Sequence, residues 1–390
     1  MLSSPAQLRR AFVAVWVAAG GAAGSTSYAF GQSRNLEVFR AAARDLFAGA
    51  DLYAGRSVDF FKYSPTFALL FTPFAWLPAW LAAALWGALN FGVAFAGIDA
   101  LVRDPRRKIP AFAAGLAGVL FATDGDQSNL LITGAMLLAV AALESGKWRT
   151  FAVLVALAAH VKIFPVALLP CALLYPKPVR SLAAALASIV AFALLPALVV
   201  GAHGLAAEYA SWLALVRRDH ANHGWSVMNM IESFSGRPVW VAGIQGLGVV
   251  FLMLPLVATR ILAGRAWRRL YAASVLVFTV LFNHRAEYAT YVVSAIGAAI
   301  WYAENPRSRL RIVLLAATVV AQGPLLTAPD PSVTGLFAIL GAHRLFHPLR
   351  VMPLAILWGS MQIDLVRALV VDGVRADAFR PSTPGPESLR

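Results

Sequence analysis

Residues 275–302 read VLVFTVLFNHRAEYATYVVSAIGAAIWY: two long apolar runs joined by Asn283, His284, Arg285 and Glu287, with almost no loop to carry them. In water this string would be an ordinary turn. The rest of the chain places it elsewhere, because 59% of the 390 residues are hydrophobic, only 13% are charged, and the mean hydropathy is +0.69. A soluble domain carries roughly 25% charged residues. The two runs therefore read as membrane spans, and the polar turn as the cap on their ends.

A spanning helix needs about 20 mostly apolar residues. Clear runs lie at 11–30, 80–102, 110–123, 128–143, 181–202, 238–258, 270–282, 287–303, 310–326 and 350–370, with more broken ones at 63–78, 150–162, 163–175 and 333–343. These predict an all-α polytopic membrane protein with on the order of 10–13 spans and short interfacial helices in its loops, since backbone groups in lipid must be satisfied within their own segment. Residues 1–372 read as one membrane domain and 373–390 as a disordered tail. The N-terminus has a basic start and an apolar stretch without a small-residue cleavage site, which reads as a retained first span.

The net charge of +14 does not point to nucleic acid. Basic residues cluster in short loops: LRR at 8–10, RDPRRK at 103–108, GKWR at 146–149, PKPVR at 176–180, RILAGRAWRR at 260–269 and PRSRLR at 306–311. That is the positive-inside pattern of cytoplasmic loops. It places 31–62, DGDQSN at 124–129, the surroundings of Lys162, the stretch 203–237, NHRAEY at 283–288 and TAPDPS at 327–332 on the outer side. The uncharged stretch from Tyr63 to Ile98 fits this count if 63–78, with Pro65, Pro73 and Pro78, enters without crossing. The single cysteine, Cys171, lies in an apolar segment, so no disulfide or cysteine-based metal site is expected.

The outer loops hold the chemistry. In SRNLEVFRAAARDLFAGADLY (33–53) Leu36, Phe39, Ala43 and Phe47 recur at helical spacing, with Glu37, Arg40 and Arg44 on the opposite face. This predicts an amphipathic helix in the outer interface, its charged face either solvated or functional. Asp51 follows in GADLY, and Asp59, Lys62 and Tyr63 mark re-entry into the membrane. DGDQSN carries Gln127 and Asn129 and reads equally as a helix cap or a substrate-facing turn. Lys162 interrupts an apolar run beside His160, where a charge costs a few kcal/mol unless it snorkels or binds an anion. RRDHANHGWS (217–226) gathers Asp219, His220 and Ser226 outside any apolar periodicity. Its Asp and His spacing matches no metal motif, and the loops hold too few clustered carboxylates to predict a tight divalent site. The charges of 283–287 have no loop to hide in, so they face a water-filled cavity or a charged ligand. Together with Lys162 and RRDH they describe an outer cavity lined by cations and a few carboxylates, which a lipid-linked phosphate would fit.

The order of these pieces resembles the family 87 glycosyltransferases of the GT-C superfamily, over roughly residues 10 to 305. The pieces are GADLY leading into KYSPTFALLFTPFAWLP (62–78), DQSNLL (126–131), HVKIFPVALLP (160–170), SWLALVRRDH (211–220), SVM (226–228) and FNHRAE (282–287). The resemblance implies inverting transfer of a hexose, mannose or similar, from a polyprenyl-phosphate donor to a lipid or glycan acceptor at the extracytoplasmic side of the cell membrane, with membrane lipids around it; no cofactor is predicted, and dependence on a divalent metal stays open because GT-C enzymes vary on it. A carboxylate would take the acceptor proton, and cations would stabilise the departing phosphate. Asn35 in NLEVF stands where the family pattern has the catalytic Asp, so the base is sought among Glu37, Asp219 and Asp51. Arg40, Lys162, His220, His284 and Arg285 are the candidates for holding phosphate. Tyr63, Gln127, Asn129 and Ser226 are candidates for lining the substrate cavity. Asn283 and Glu287 would hold sugar hydroxyls or brace the turn. A lipid transporter or flippase is the rival reading, although no second copy of YSPTFAL or HVKIFP suggests the internal repeat of such folds. An inactive relative is the third reading, with Asn35 as its support.

Overall fold

The structure, a computed structural model, describes residues 5–55, 59–102, 108–113, 126–218, 224–257, 264–305, 308–322 and 343–378. Among these residues the fold is all-α, without a strand. Helix α1 (Pro5–Ala29) packs on α5 (Ala79–Leu101). The two backbones touch because small residues face each other. A Cβ added at Gly24 would lie 2.1 Å from the Ala83 carbonyl oxygen, and one at Gly87 would lie 2.1 Å from that of Gly20. Membrane helices associate through such close contact rather than through hydrophobic exclusion. From α5 the bundle continues through α6 (Asn129–Glu144), α7 (Trp148–Val161) and α8 (Pro178–Leu194), each packed on the next. A 3₁₀ segment, Phe164–Leu174, folds along α7 and α8 and reaches α12 (Arg265–Leu281). Pro165 and Pro170 lie in it and withhold the N–H groups an α-helix would use. The centre is α12 against α13 (Tyr291–Glu304), the latter buried along almost its whole length, as its unbroken apolarity requires. Around them lie α11 (Val241–Val257), α14 (Arg309–Gln322) and α15 (His343–Ala378).

One end of the bundle is ionic. Asp99 at the end of α5 pairs with Arg9 and Lys108. Arg269 on α12 grips both oxygens of Glu144, at 2.9 and 3.0 Å, and reaches Glu304 at 3.4 Å. Arg311 on α14 bonds Asp364 on α15 at 2.9 Å, and Asp364 also accepts from the Trp301 indole. Arg9 with Asp99 and Arg269 with Glu144 join helices that the chain order separates widely, so this end is cross-braced. Ala79–Leu101, Ala197–Arg218 and Pro348–Ala368 are long and apolar enough to cross a membrane, and α6, α7, the 3₁₀ segment, α8 and α11 are shorter apolar helices. The protein is an all-α membrane protein.

Several expected boundaries move. The stretch 63–78 forms α3 (Pro65–Leu70) and α4 (Thr72–Ala75), six and four residues long. At about 1.5 Å per residue neither can cross, and α5 alone spans. The expected span 181–202 breaks after Leu194, because Pro196 withholds an N–H; α9 (Ala197–Arg218) then starts and turns at Gly201. The expected loop 203–237 is therefore largely helical, with α9 followed by α10 (Val227–Ser235). Helix α15 extends to Ala378, six residues into the stretch read as tail. The expected spans at 110–123 and 333–343 fall largely outside the described residues, as does the loop 327–332.

Candidate functional site

At the end opposite the ion pairs, the amphipathic helix forms as α2 (Arg34–Ala48) and buries Leu36, Phe39, Ala43 and Leu46. Phe47, expected on that face, is instead 49% exposed and meets Trp76 edge-on at 5.6 Å. Phe39 is the anchor. Its ring meets Tyr63, Phe67 and Phe71 at 4.8, 5.0 and 5.3 Å. Each such pair is worth about 0.5–1.5 kcal/mol beyond burial, and the set fixes the start of α3 and hence Tyr63. Ser64 caps α3, donating to the His160 carbonyl at 2.6 Å, and Thr66 donates to that of Phe192 at 2.8 Å. The imidazole of His160 is held by the Ile189 carbonyl at 2.9 Å. His160 is thus a brace between α3, α7 and α8.

That brace places Lys162, in the extended link beyond α7, above the Tyr63 ring at 5.9 Å. Its ammonium donates to Asn129 Oδ1 at 2.8 Å. Burial lowers the proton affinity of Lys162, while the carboxylate of Glu287 raises it and Lys62 lowers it. Burial, and after it the charge of Glu287, push the Tyr63 hydroxyl to keep its proton. Tyr63, Asn129, Lys162 and Glu287, drawn from four separate stretches of sequence, therefore form one group. Asn129 is 1% exposed, and its Nδ2 has no hydrogen-bond partner among the described residues; neither has the buried Oε1 of Gln127. A buried polar group left unmatched costs about 1–3 kcal/mol. One donor and one acceptor held in this state beside an ammonium are what a polyhydroxylated or phosphorylated ligand would satisfy.

A backbone seam continues the site. Gly224 N–H donates to the His284 carbonyl at 2.6 Å, and Trp225 N–H to that of Ala286 at 2.7 Å. Only glycine fits at 224, since a Cβ there would lie 2.3 Å from the Ala286 carbonyl oxygen. Asn283 Oδ1 accepts the Arg285 N–H at 3.0 Å and so shapes the turn, His284 lies 3.5 Å from Gln245 Nε2, and Ser226 caps α10. The opening turn is thus a folded edge on which the 224–226 segment is laid, and the charge of Glu287 at its end acts on Lys162.

Glu37 is exposed in the first turn of α2. Arg40 donates to the carbonyls of Ala75 and Leu77, and Arg44 to that of Ala75 at 2.7 Å, so both close the end of α4 rather than forming a free charged face. Asp51 accepts from Tyr53 N–H at 2.9 Å within its own turn. Asp219 and His220 lie outside the described residues. Two groups escaped sequence reasoning. Glu208 on α9 is buried and accepts the Leu52 N–H at 3.3 Å, tying that helix to the Asp51 turn; Trp212, one turn on, donates to the Lys62 carbonyl. Their i, i+4 spacing in AEYASW was the available signal. Arg350, at the head of an apolar run, is 2% exposed and stacks 4.0 Å over the Trp225 ring. Its signal was a charge at the first residue of an apolar run.

No curated protein matches the chain. The sequence model of glycosyltransferase family 87 matches residues 60–283. That stretch is more than half of the 390 residues, and it runs from the entry to Tyr63 through Asn129 and Lys162 to the first residue of the 283–287 turn. On that match, the chain belongs to glycosyltransferase family 87.

Proposed function

We propose that this glycosyltransferase moves a hexose from a polyprenyl-phosphate-linked donor to a lipid or glycan acceptor, as a GT-C-type enzyme working at the extracytoplasmic face of the cell membrane. The observation that carries this reading is the group around Lys162: an ammonium held by Asn129, with the unmatched Asn129 Nδ2 and Gln127 Oε1 beside it. In the reaction a carboxylate removes the acceptor hydroxyl proton, and the oxygen attacks the anomeric carbon from the face opposite the phosphate. The bond from that carbon to the phosphate oxygen breaks, and the polyprenyl phosphate leaves with the electron pair. Lys162, with Arg285 and His284 from the turn and His220 from the preceding loop, stabilises that growing charge. Tyr63, Gln127, Asn129, Asn283 and Glu287 hold sugar hydroxyls. The base is Glu37, Asp219 or Asp51.

Charge supports the extracytoplasmic side. The site lies at the end opposite Arg9, Lys108, Arg269 and Arg311, and basic clusters of that kind stay on the cytoplasmic side. The test is transfer from labelled polyprenyl-phosphate mannose and glucose, offered in turn to purified protein in nanodiscs with a total lipid and glycan extract. Wild type runs beside Glu37→Gln, Asp219→Asn and Asp51→Asn, with and without a chelator. Product that vanishes in one variant names the base, and loss on chelation reveals a divalent ion. Absence of product with every donor, while donor binding persists, defeats the reading in favour of a lipid carrier or an inactive relative.

A further inference from the structure

The group around Lys162 makes no use of the buried charge of Arg350. Arg350 lies in α15, well beyond the stretch that matches the family. Its guanidinium is held against the face of Trp225. Trp225 is gripped from two other directions as well. Its N–H is bound by the Ala286 carbonyl, and its own carbonyl accepts the Tyr291 hydroxyl at 2.6 Å. The Trp225 and Tyr291 rings also meet at 6.1 Å. Helix α15 packs along α10, which begins two residues after Trp225. The turn 284–286, the start of α13 and the first half of α15 therefore converge on this one residue.

A guanidinium removed from water carries a desolvation cost of several kcal/mol. A leucine or methionine would fill the same space without it, so packing alone does not account for a charge at this point. A cation over the face of tryptophan recovers part of that cost and adds direction, since the attraction is strongest over the ring face. The segment so held lies on the turn that carries His284 and Arg285.

We propose that Arg350 is a positioning residue of the transferase site: by clamping Trp225 it holds the 224–226 segment against the 284–286 turn and so fixes where His284 and Arg285 stand. The proposal rests on the function proposed above and adds that α15 completes the site from outside the matched region. Arg350 acts through Trp225 and does not touch substrate.

Hydrogen exchange at the Gly224 and Trp225 amides reads the clamp without any sugar. Arg350→Met keeps length and apolarity and removes the charge; it speeds exchange at these two amides about 30-fold, the equivalent of a desolvated cation–π contact. Amides of α13 near Glu304 keep their wild-type protection, which separates a lost clamp from global unfolding. Arg350→Lys keeps a cation and restores part of the protection. In the transfer assay Arg350→Met lowers kcat more than it changes donor KM, because the 284–286 turn is misplaced while the Lys162 group is intact. The double variant Arg350→Met with Trp225→Leu is no slower than Trp225→Leu alone. Unchanged exchange in Arg350→Met overturns the clamp. Multiplicative losses in the double variant overturn action through Trp225. A wild type that transfers no sugar while Arg350→Met still loosens these amides overturns the positioning role and the proposed reaction, and leaves only the contact itself standing.

Discussion

Lys162→Met is the sharpest perturbation of the proposed chemistry. It removes the ammonium that bonds Asn129 Oδ1 at 2.8 Å and keeps a flexible apolar stem over the Tyr63 ring. A unit charge at about 4 Å from a phosphate oxygen contributes about 4 kcal/mol in a medium of effective dielectric near 20. The charge of Glu287 acts on the same ammonium and offsets part of that field. The loss of a single preorganised donor at a developing anion costs about 10²–10³ in kcat, and that is the expected range here. Stability moves little, because the lost charge-assisted bond, about 1.5–3 kcal/mol, is opposed by relief of the desolvation that already disfavours a charge at this position. The assay is transfer under saturating donor, with donor KM and the thermal midpoint measured on the same preparation. A kcat within about threefold of wild type, with an unchanged midpoint, refutes the placing of the leaving phosphate at Lys162. A collapse of the midpoint refutes the claim that the charge there serves function rather than folding.

Three further outcomes follow from the same geometry. Glu287→Gln removes the charge that raises the proton affinity of Lys162, so its cation is lost at lower pH, and the alkaline limb of the rate profile moves towards acid; a limb that stays in place or moves the other way contradicts the pairing. Gly224→Ala puts a Cβ 2.3 Å from the Ala286 carbonyl oxygen. Relief requires a backbone shift of about 1 Å, which lowers transfer about 100-fold; transfer at the wild-type rate removes the seam from the site. Arg269→Met leaves Glu144 and Glu304, whose side chains are 3% and 6% exposed, without their cation. The expected loss is about 3–5 kcal/mol, read by thermal denaturation and partly restored by adding Glu144→Gln.

Some of this was written in the sequence because it depends on local free energy alone. Apolar runs near 20 residues long and basic loops between them require membrane helices wherever the chain goes. Helical spacing in residues 36–46 requires a one-sided helix, and α2 is one. The residue types of the site were also legible, since Lys162 and the 283–287 turn carry charge where charge is costly. What those residues bond to was not. Arg40 and Arg44 look like a free cationic face, yet both end on carbonyls at or just past the end of α4, because Pro78 ends that stretch within their reach. The uncharged stretch from Tyr63 to Ile98 allowed one crossing or two, and only the stacking of α3 under Phe39 holds its first part short of a span. Lys162 with Asn129, Gly224 with Ala286 and Arg350 with Trp225 join residues far apart in the chain. The cost of a buried charge is a property of one residue and can be read in place. The partner that offsets it is a property of the chain path, and it exists only once the helices have packed.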